Sequence, residues 1–383
     1  MNPDTATSRH AIKFAGPVID EATIAGVADV LRSGQIASGP WVDRFEASLS
    51  RFCEGRPVRV MTSATAAVEV ALQLCNIGPG DEVITCAQSF FTVLNMIVKC
   101  GATPVFVDCD PVTRNIDLAA VEAHIGSRTR AIMLTHWPGS LVDMDALYSL
   151  ARRHRLRVIE DAALVIGSRF NGRPIGAIGD LVAFSFHPNK NMTSIEGGAL
   201  VVNDASEAKR VEALRFHGIE RLPDGTRDVA YPGGKFNLPD VNARIGFDQL
   251  ARLPQFLAHR RMLVLRYFER FPASLRCVLP PRPVEGDGQS WNMFCILLPD
   301  DAKLSRKAFR DALAARGIAT GVSYESLHLS TLGRRYGYRP GDLPNAERIA
   351  ARTVTLPLHA AMSVVDVDRV CDACADVLAE ARP

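Results

Sequence analysis

The stretch FSFHPNKN, residues 184–191, carries a single lysine, Lys190, out of an apolar strand pattern and into a turn built from His187, Pro188 and Asn189. A second apolar run, residues 198–203, begins soon afterwards, with Ser185, Asn191 and Thr193 close by in sequence. A lysine between two buried-type strands is placed for nucleophilic chemistry, whereas a solvated turn lysine usually sits among other charges. Three further strand ends hold polar or aromatic groups. The run LRVIED finishes with Glu160 and Asp161 after apolar Val158 and Ile159, so a carboxylate should emerge at a carboxyl edge, either for chemistry or as a cap for the next segment. Val60 and Met61 lead into Thr62, Ser63, Ala64 and Thr65 where a helical pattern starts. Free backbone N–H groups there suit an anion or an ordinary Ser/Thr cap. DEVITC gives way to AQSFF, which offers Phe90 and Phe91 at another carboxyl edge. Lysine, strand-end carboxylate, aromatic face and phosphate cradle are together the parts that pyridoxal 5'-phosphate (PLP) requires. The amine forms a Schiff base, the carboxylate keeps the pyridine nitrogen protonated, and the helix start holds the phosphate. Once substrate displaces it, the same lysine serves as general base, and a desolvated pocket lowers its pKa as that role demands.

The elements that must position these groups alternate. Apolar or β-branched runs at residues 58–62, 82–86, 103–108, 131–135, 157–160, 181–186 and 199–202 imply seven strands. Helical periodicity lies between several of them, at 65–75, 91–99, 118–124 and 144–154, the last ending in a basic turn suited to a helix C-terminus. Such alternation predicts an α/β fold with a mainly parallel sheet covered on both faces and ligands at the carboxyl ends of its strands. A long helical pattern at 241–271 leads through a proline-rich loop, 279–284, into a smaller α/β region. That region reads as a strand at 291–298, a helix at 306–316 and a last helix at 364–381. We expect a large domain over 1–250, with an N-terminal arm over 1–20, and a small domain over 251–383.

Composition excludes several classes. The 383 residues are 47% hydrophobic, enough for a large core, and 44 basic against 42 acidic residues leave a formal charge of +2 with no long Lys/Arg run. Nucleic acid is not an expected partner. No apolar run reaches about 18 residues, and the first residues, MNPDTATSRHAIKF, lack an apolar signal core, so no membrane association and a cytoplasmic location are expected. Nine scattered cysteines fit reduced, buried thiols. Cys371 and Cys374 form the only CxxC, inside an apolar-periodic helix with no second pair, and no metal site is expected.

Over nearly its whole length the chain resembles the DegT/DnrJ/EryC1/StrS family of PLP-dependent sugar aminotransferases. The ordered motifs are SATAAVEVAL, IGPGDEVI, GATPVFVDCDPVTRNID, VIEDAA, FSFHPNKNMTSIEGG, FNLPDVNARIGFDQL and TLPL. The resemblance implies the aspartate aminotransferase-like fold type I and a homodimer with active sites at the subunit interface. It also implies amino transfer, usually from glutamate, to a keto sugar on a nucleotide carrier through a pyridoxamine 5'-phosphate (PMP) form. By position, Lys190 matches the Schiff-base lysine, Asp161 the pyridinium partner and Phe90 the stacking ring. Ser185, Thr65 and the backbone at Ala64 match phosphate contacts. Lys235 matches a position that reaches the phosphate of the neighbouring subunit. His187, Asn191, Tyr324 and His328 are candidate sugar contacts, being polar groups near the lysine or in the SYESLH loop, while Trp291 reads as core.

Some positions depart from the family pattern. Leu164 stands where Gln or His is common, three residues after the aspartate, and cannot bond the cofactor's phenolic oxygen. Ala64 replaces Gly, Cys86 replaces Pro, Lys235 replaces Asn, and Ser323 replaces His ahead of Tyr324. Three other readings share this framework: a sugar dehydratase, which carries His in place of the lysine; a cofactor-binding scaffold, toward which Leu164 leans; and an aminotransferase for a non-nucleotide keto sugar or inositol ketone. Lys190 argues against the first.

Overall fold

A computed structural model describes residues 10–283, 286 and 288–380. Positions 1–9 of the expected arm, 284 of the proline-rich loop and 381 of the last helix lie outside the described residues. Helix α1 (Glu21–Ser33) starts on Asp20, whose side chain accepts the Thr23 N–H at 2.9 Å, and ends at Gly34 in the left-handed region. Helix α2 (Pro40–Phe52) starts with Pro at its first turn, where the missing N–H costs nothing.

The chain then alternates through β1 (Val58–Met61), α3 (Ala64–Leu74), β2 (Glu82–Cys86), α4 (Phe91–Lys99), β3 (Thr103–Val107), α5 (Leu118–Ala123), β4 (Thr129–Thr135), α6 (Met144–His154), β5 (Arg157–Asp161), β6 (Leu181–Ser185) and β7 (Gly198–Val201). These seven strands form one sheet in the order β1-β7-β6-β5-β4-β2-β3. Strands β2 to β6 run parallel, and β7 runs antiparallel to both β6 and β1. The expected mainly parallel seven-stranded sheet is therefore present. Both faces are covered: Leu181 and Ala183 of β6 join Ala71 and Leu72 of α3 in one core, whereas Val182 and Phe184 join Phe45 and Leu49 of α2 in another. That two-sided burial is why β6 reads as an unbroken apolar run, and truncating Phe184 to Ala would cost about 3–5 kcal/mol.

After α7 (Ala205–Leu214), helix α8 (Asp240–Arg270) packs its first half on α1 and α2 and its second half into a separate core. That core holds β8 (Phe294–Leu297), α9 (Arg306–Ala315), β9 (Thr353–Leu356) and α11 (Val364–Glu380), with β8 and β9 paired antiparallel, while α10 (Pro344–Arg352) buries Ala346 and Ile349 in the core that holds Ile84 of β2 and Leu147 of α6. Tyr267 stacks on Phe294 with centroids 4.5 Å apart, and Trp291 lies in the same core, as its strand pattern suggests. The N-terminal segment also reaches here, Ile12 bonding Gly317 and Ala319 through its backbone. Helices α1, α2, α7 and α10 and strand β9 were not among the expected elements, and the strand expected over 291–298 spans only Phe294–Leu297. Exposure explains part of this: α1 buries only Thr23, Gly26 and Val30, too few to set a clear period.

Candidate active site

The carboxyl edge of the sheet gathers the polar groups. Asp161, the last residue of β5, stands in register with Thr135 of β4 and Ala183 of β6. Its Oδ1 accepts the Ala163 N–H at 3.0 Å and its Oδ2 the Thr135 hydroxyl at 3.4 Å, while Thr135 shares a 2.6 Å hydrogen bond with Ser89. Strand β6 ends at Ser185, and the chain turns so that the Lys190 N–H reaches the His187 carbonyl at 2.9 Å. Across the sheet, Ser63 caps α3 by accepting the Ala66 N–H at 3.0 Å. Among the described residues the N–H groups of Ala64 and Thr65 have no acceptor, as expected for the first turn of a helix. Gly198 of β7 packs on this helix start so tightly that a Cβ would lie 2.3 Å from the Ala64 nitrogen.

These parts line one cavity of about 340 Å³, a size suited to a cofactor and part of a substrate. Ala64, Thr65, Phe90, Asp161, Ser185, His187, Lys190 and Tyr324, all singled out from the sequence, share its wall. Phe90 precedes α4 and packs on Phe91 and Tyr324, with Tyr324 in turn on Trp137. Burial pushes the Lys190 ammonium below its usual range, against the pull of the Asp161 charge. Burial also raises the Asp161 carboxyl, against the Ala163 N–H, Lys190, Thr135 and His136. The cavity thus penalises both charges, leaving a lysine primed to be neutral and a carboxylate in need of a cationic partner.

Two expected substrate contacts lie elsewhere. Asn191 is buried, donating to the Ile166 carbonyl at 3.3 Å and accepting from Asn292 at 3.4 Å. His328 sits in a short 3-10 turn that docks on the end of β2, through Leu327 N–H to Ala87, and this turns its ring inward to Glu347 at 3.1 Å. Neither lines this cavity. Lys235 is exposed, bonded to Asn237 and lying over the Phe216 ring, on a segment that pairs with Met61 and Thr62 just before α3. Leu164 is buried in the core with Phe45 and Leu253, while neighbouring Ala163 lines the wall.

The pattern of the DegT/DnrJ/EryC1/StrS aminotransferase family matches residues 17–375. The chain belongs to that family. It is 35% identical to the spore coat polysaccharide biosynthesis protein SpsC of Bacillus subtilis (strain 168), over 96% of this chain and 97% of SpsC. Among solved structures, the PLP form of Spr1654 from Streptococcus pneumoniae, a candidate sugar aminotransferase, aligns with a TM-score of 0.92 at 30% identity, covering 98% of this chain and all 100% of that one. Its PMP form aligns equally well. PseC of Helicobacter pylori, an aminotransferase involved in pseudoaminic acid biosynthesis, aligns with a TM-score of 0.90 at 26% identity over 97% of this chain and 100% of PseC.

This family member is thus a PLP-dependent sugar aminotransferase of the type I fold. The residues present fit the cofactor: a lysine and a carboxylate share the cavity, and the α3 start offers it two unclaimed N–H groups. Sequence reasoning missed Ser89, Thr135, Phe14, Asn292 and Arg260. Thr135 ends its strand in the same row as Asp161 and could have been found by the strand-end rule that found Asp161. Phe14, Asn292 and Arg260 carry no such signal, because each reaches the site by a chain return. Among the described residues no group of three or more His, Cys, Asp or Glu could hold a metal ion, and no helix is long and apolar enough to cross a membrane.

Proposed function

We propose that this aminotransferase moves an amino group from L-glutamate to a keto sugar carried on a nucleotide, for amino-sugar biosynthesis, and that it does so in the cytoplasm as a homodimer with shared active sites. The observation that carries the reading is the placement of Lys190 and Asp161 on one cavity whose far wall is a helix start with free N–H groups. The names of SpsC and PseC, both tied to sugar biosynthesis, support a sugar acceptor. The exposed, mutually packed rings of Phe90 and Phe91 support a partner subunit, since contiguous apolar exposure marks an interface. Nine free cysteines suit a reducing compartment.

Bound PLP supplies an electron sink for the substrate carbon. Lys190 would hold it covalently and, once released, would act as general base toward the proton on the substrate carbon. Depression of its pKa by burial leaves the amine free to accept that proton. Asp161, braced by Ala163 and Thr135, would pair with the protonated pyridine nitrogen and so gain a cationic partner. Phe90, on the cavity wall, would stack against the ring. Ala64, Thr65 and Ser185 would hold the phosphate, Thr65 being steadied by a 3.0 Å hydrogen bond to Thr92, and Lys235 would serve the neighbouring site. His187 and Tyr324 are the sugar-side groups that reach the cavity, whereas Asn191 and His328 do not line it.

Loaded with PLP, the protein is expected to be yellow, to bleach with glutamate and to regain colour with a nucleotide keto sugar. Lys190→Ala is expected to abolish turnover. Recovery of colour only with a free sugar or inositol ketone would assign the acceptor to that class instead, and colour that ignores every amino donor would leave a scaffold.

A further inference from the structure

We propose that Arg260, together with Asn292, is a positioning residue that fixes the backbone carrying Lys190, an inference that rests on Lys190 being the cofactor-bearing lysine. Arg260 lies in α8, is 3% exposed, and pairs with no carboxylate among the described residues. Its hydrogen-bond acceptors among the described residues are all backbone carbonyls: Nη1 donates to Asn292 at 3.0 Å and Leu358 at 2.7 Å, and Nη2 to Lys190 at 3.2 Å. Asn292 in turn donates its amide to the Asn189 carbonyl at 3.0 Å. The two carbonyls that flank the Lys190 α-carbon, those of Asn189 and Lys190 itself, are therefore each held by one of these side chains. Because Arg260 also holds the Asn292 carbonyl, the two restraints form a single unit.

Packing alone does not call for a cation here. A buried guanidinium without a counter-charge is costly, burial pushing its pKa down to about 10, and an apolar side chain of similar size would fill the space without that cost. What an apolar residue lacks is a planar fork able to donate to several acceptors at fixed angles. The three carbonyls it gathers belong to Lys190, Asn292 and Leu358, and all three residues line the catalytic cavity. Arg260 thus ties three stretches of the cavity wall together from behind, one of them bearing the reactive amine. Other hydrogen bonds of the turn stay within the first half of the chain: Lys190 N–H to the His187 carbonyl, the His187 ring to the Asn189 side chain at 2.8 Å, and the Asn191 amide to the Ile166 carbonyl at 3.3 Å. The Arg260 and Asn292 ties are the ones that fix the two carbonyls flanking the lysine against the second half of the chain.

The test uses the full chain and three readouts: the rate at which PLP becomes trapped on Lys190 by borohydride, the affinity for PMP, which cannot link to lysine, and the melting temperature. For Arg260→Lys, which keeps charge but loses the fork, trapping is expected to slow about tenfold or more, since a misplacement of about 1 Å can cost a hundredfold. Affinity for PMP is expected to stay within about twofold of wild type, a tenfold change being 1.4 kcal/mol. Asn292→Ala should slow trapping in the same sense, and the double variant should lose less than the product of the two singles, because the two ties are coupled. Wild-type trapping rates in the folded variants would overturn the proposal, as would losses that merely follow PMP affinity or melting temperature. Should Arg260→Lys fail to fold, Asn292→Ala decides by the same criteria. A wild-type chain that traps no PLP on Lys190 overturns the assignment of the lysine instead.

Discussion

Lys190 and Asp161 are both disfavoured as charges in the cofactor-free protein, and the two respond oppositely to pH. Asp161 has its pKa raised on folding, so its contribution to stability is fully present below the ordinary carboxylate range and is lost as pH rises through the raised value. Above the ordinary carboxylate range the native state therefore carries a penalty that the unfolded chain does not. Asp161→Asn is accordingly expected to raise the melting temperature of the cofactor-free protein at pH 7 while slowing the half-reaction with an amino donor about a hundredfold or more, since the amide cannot hold the pyridine proton. A stability gain without a loss of rate would remove Asp161 from the proposed role. Lys190 has its pKa lowered, so its contribution is present above the ordinary lysine range and is lost as pH falls through the depressed value. Between those two pH values wild-type stability should rise with pH, and Lys190→Met, whose side chain does not titrate, should flatten that slope in urea melts of the cofactor-free protein.

At the scale of elements, two buried carboxylates hold the scaffold that carries the site. Asp240, fully buried at the start of α8, accepts the N–H groups of Gly39, Trp41 and Val42 at 2.8, 3.2 and 3.0 Å and so caps α2 from another part of the chain. Asp240→Ala leaves those donors unpaired and is expected to cost about 2–4 kcal/mol, read as a lower urea midpoint at unchanged slope. Glu160, next to Asp161, accepts from the Tyr148 hydroxyl and bonds His136 at 2.9 Å, while Tyr148 accepts the Asp180 N–H at 2.7 Å. Tyr148→Phe should cost about 1–3 kcal/mol by leaving a buried carboxylate oxygen and that N–H without partners. The strands behind these groups were legible because strands covered on both faces must be apolar throughout, which isolates any polar residue at their ends. Lys190, Asp161 and the Ser63 to Thr65 helix start stood out for that reason. Arg260 and Asn292 did not, because they meet the lysine turn across 70 and 103 residues of chain, and local pattern carries no information about such returns. His328 differs for the converse reason: a polar residue in a loop looks available, yet the loop docks on β2 and turns the ring inward, where Nε2 bonds Glu347 and Nδ1 is buried without a partner among the described residues.

The whole molecule presents a lysine that its own chain does not use in the cavity. Lys235 is exposed, its ammonium held by Asn237 above the exposed Phe216, on the outer side of the segment beside the α3 start. In the proposed homodimer this exposed cation is assigned to the phosphate of the second copy's site, and the exposed Phe216 beneath it is apolar surface that such a contact would cover. Lys235→Ala is therefore expected to weaken cofactor binding about tenfold, or 1.4 kcal/mol. The dimer reading adds a sharper consequence. In a mixed assembly of Lys190→Ala and Lys235→Ala chains, the Lys235→Ala subunit keeps its own Lys190 and borrows an intact Lys235 from its partner. The other site of that dimer has neither. Mixing the two variants under conditions of subunit exchange should thus restore wild-type cofactor affinity to the sites that still link PLP, although the Lys190→Ala chain links none itself. If Lys235 acted within its own chain, the mixture would bind no more tightly than the Lys235→Ala protein alone, and a titration of visible absorbance against PLP distinguishes the two outcomes directly.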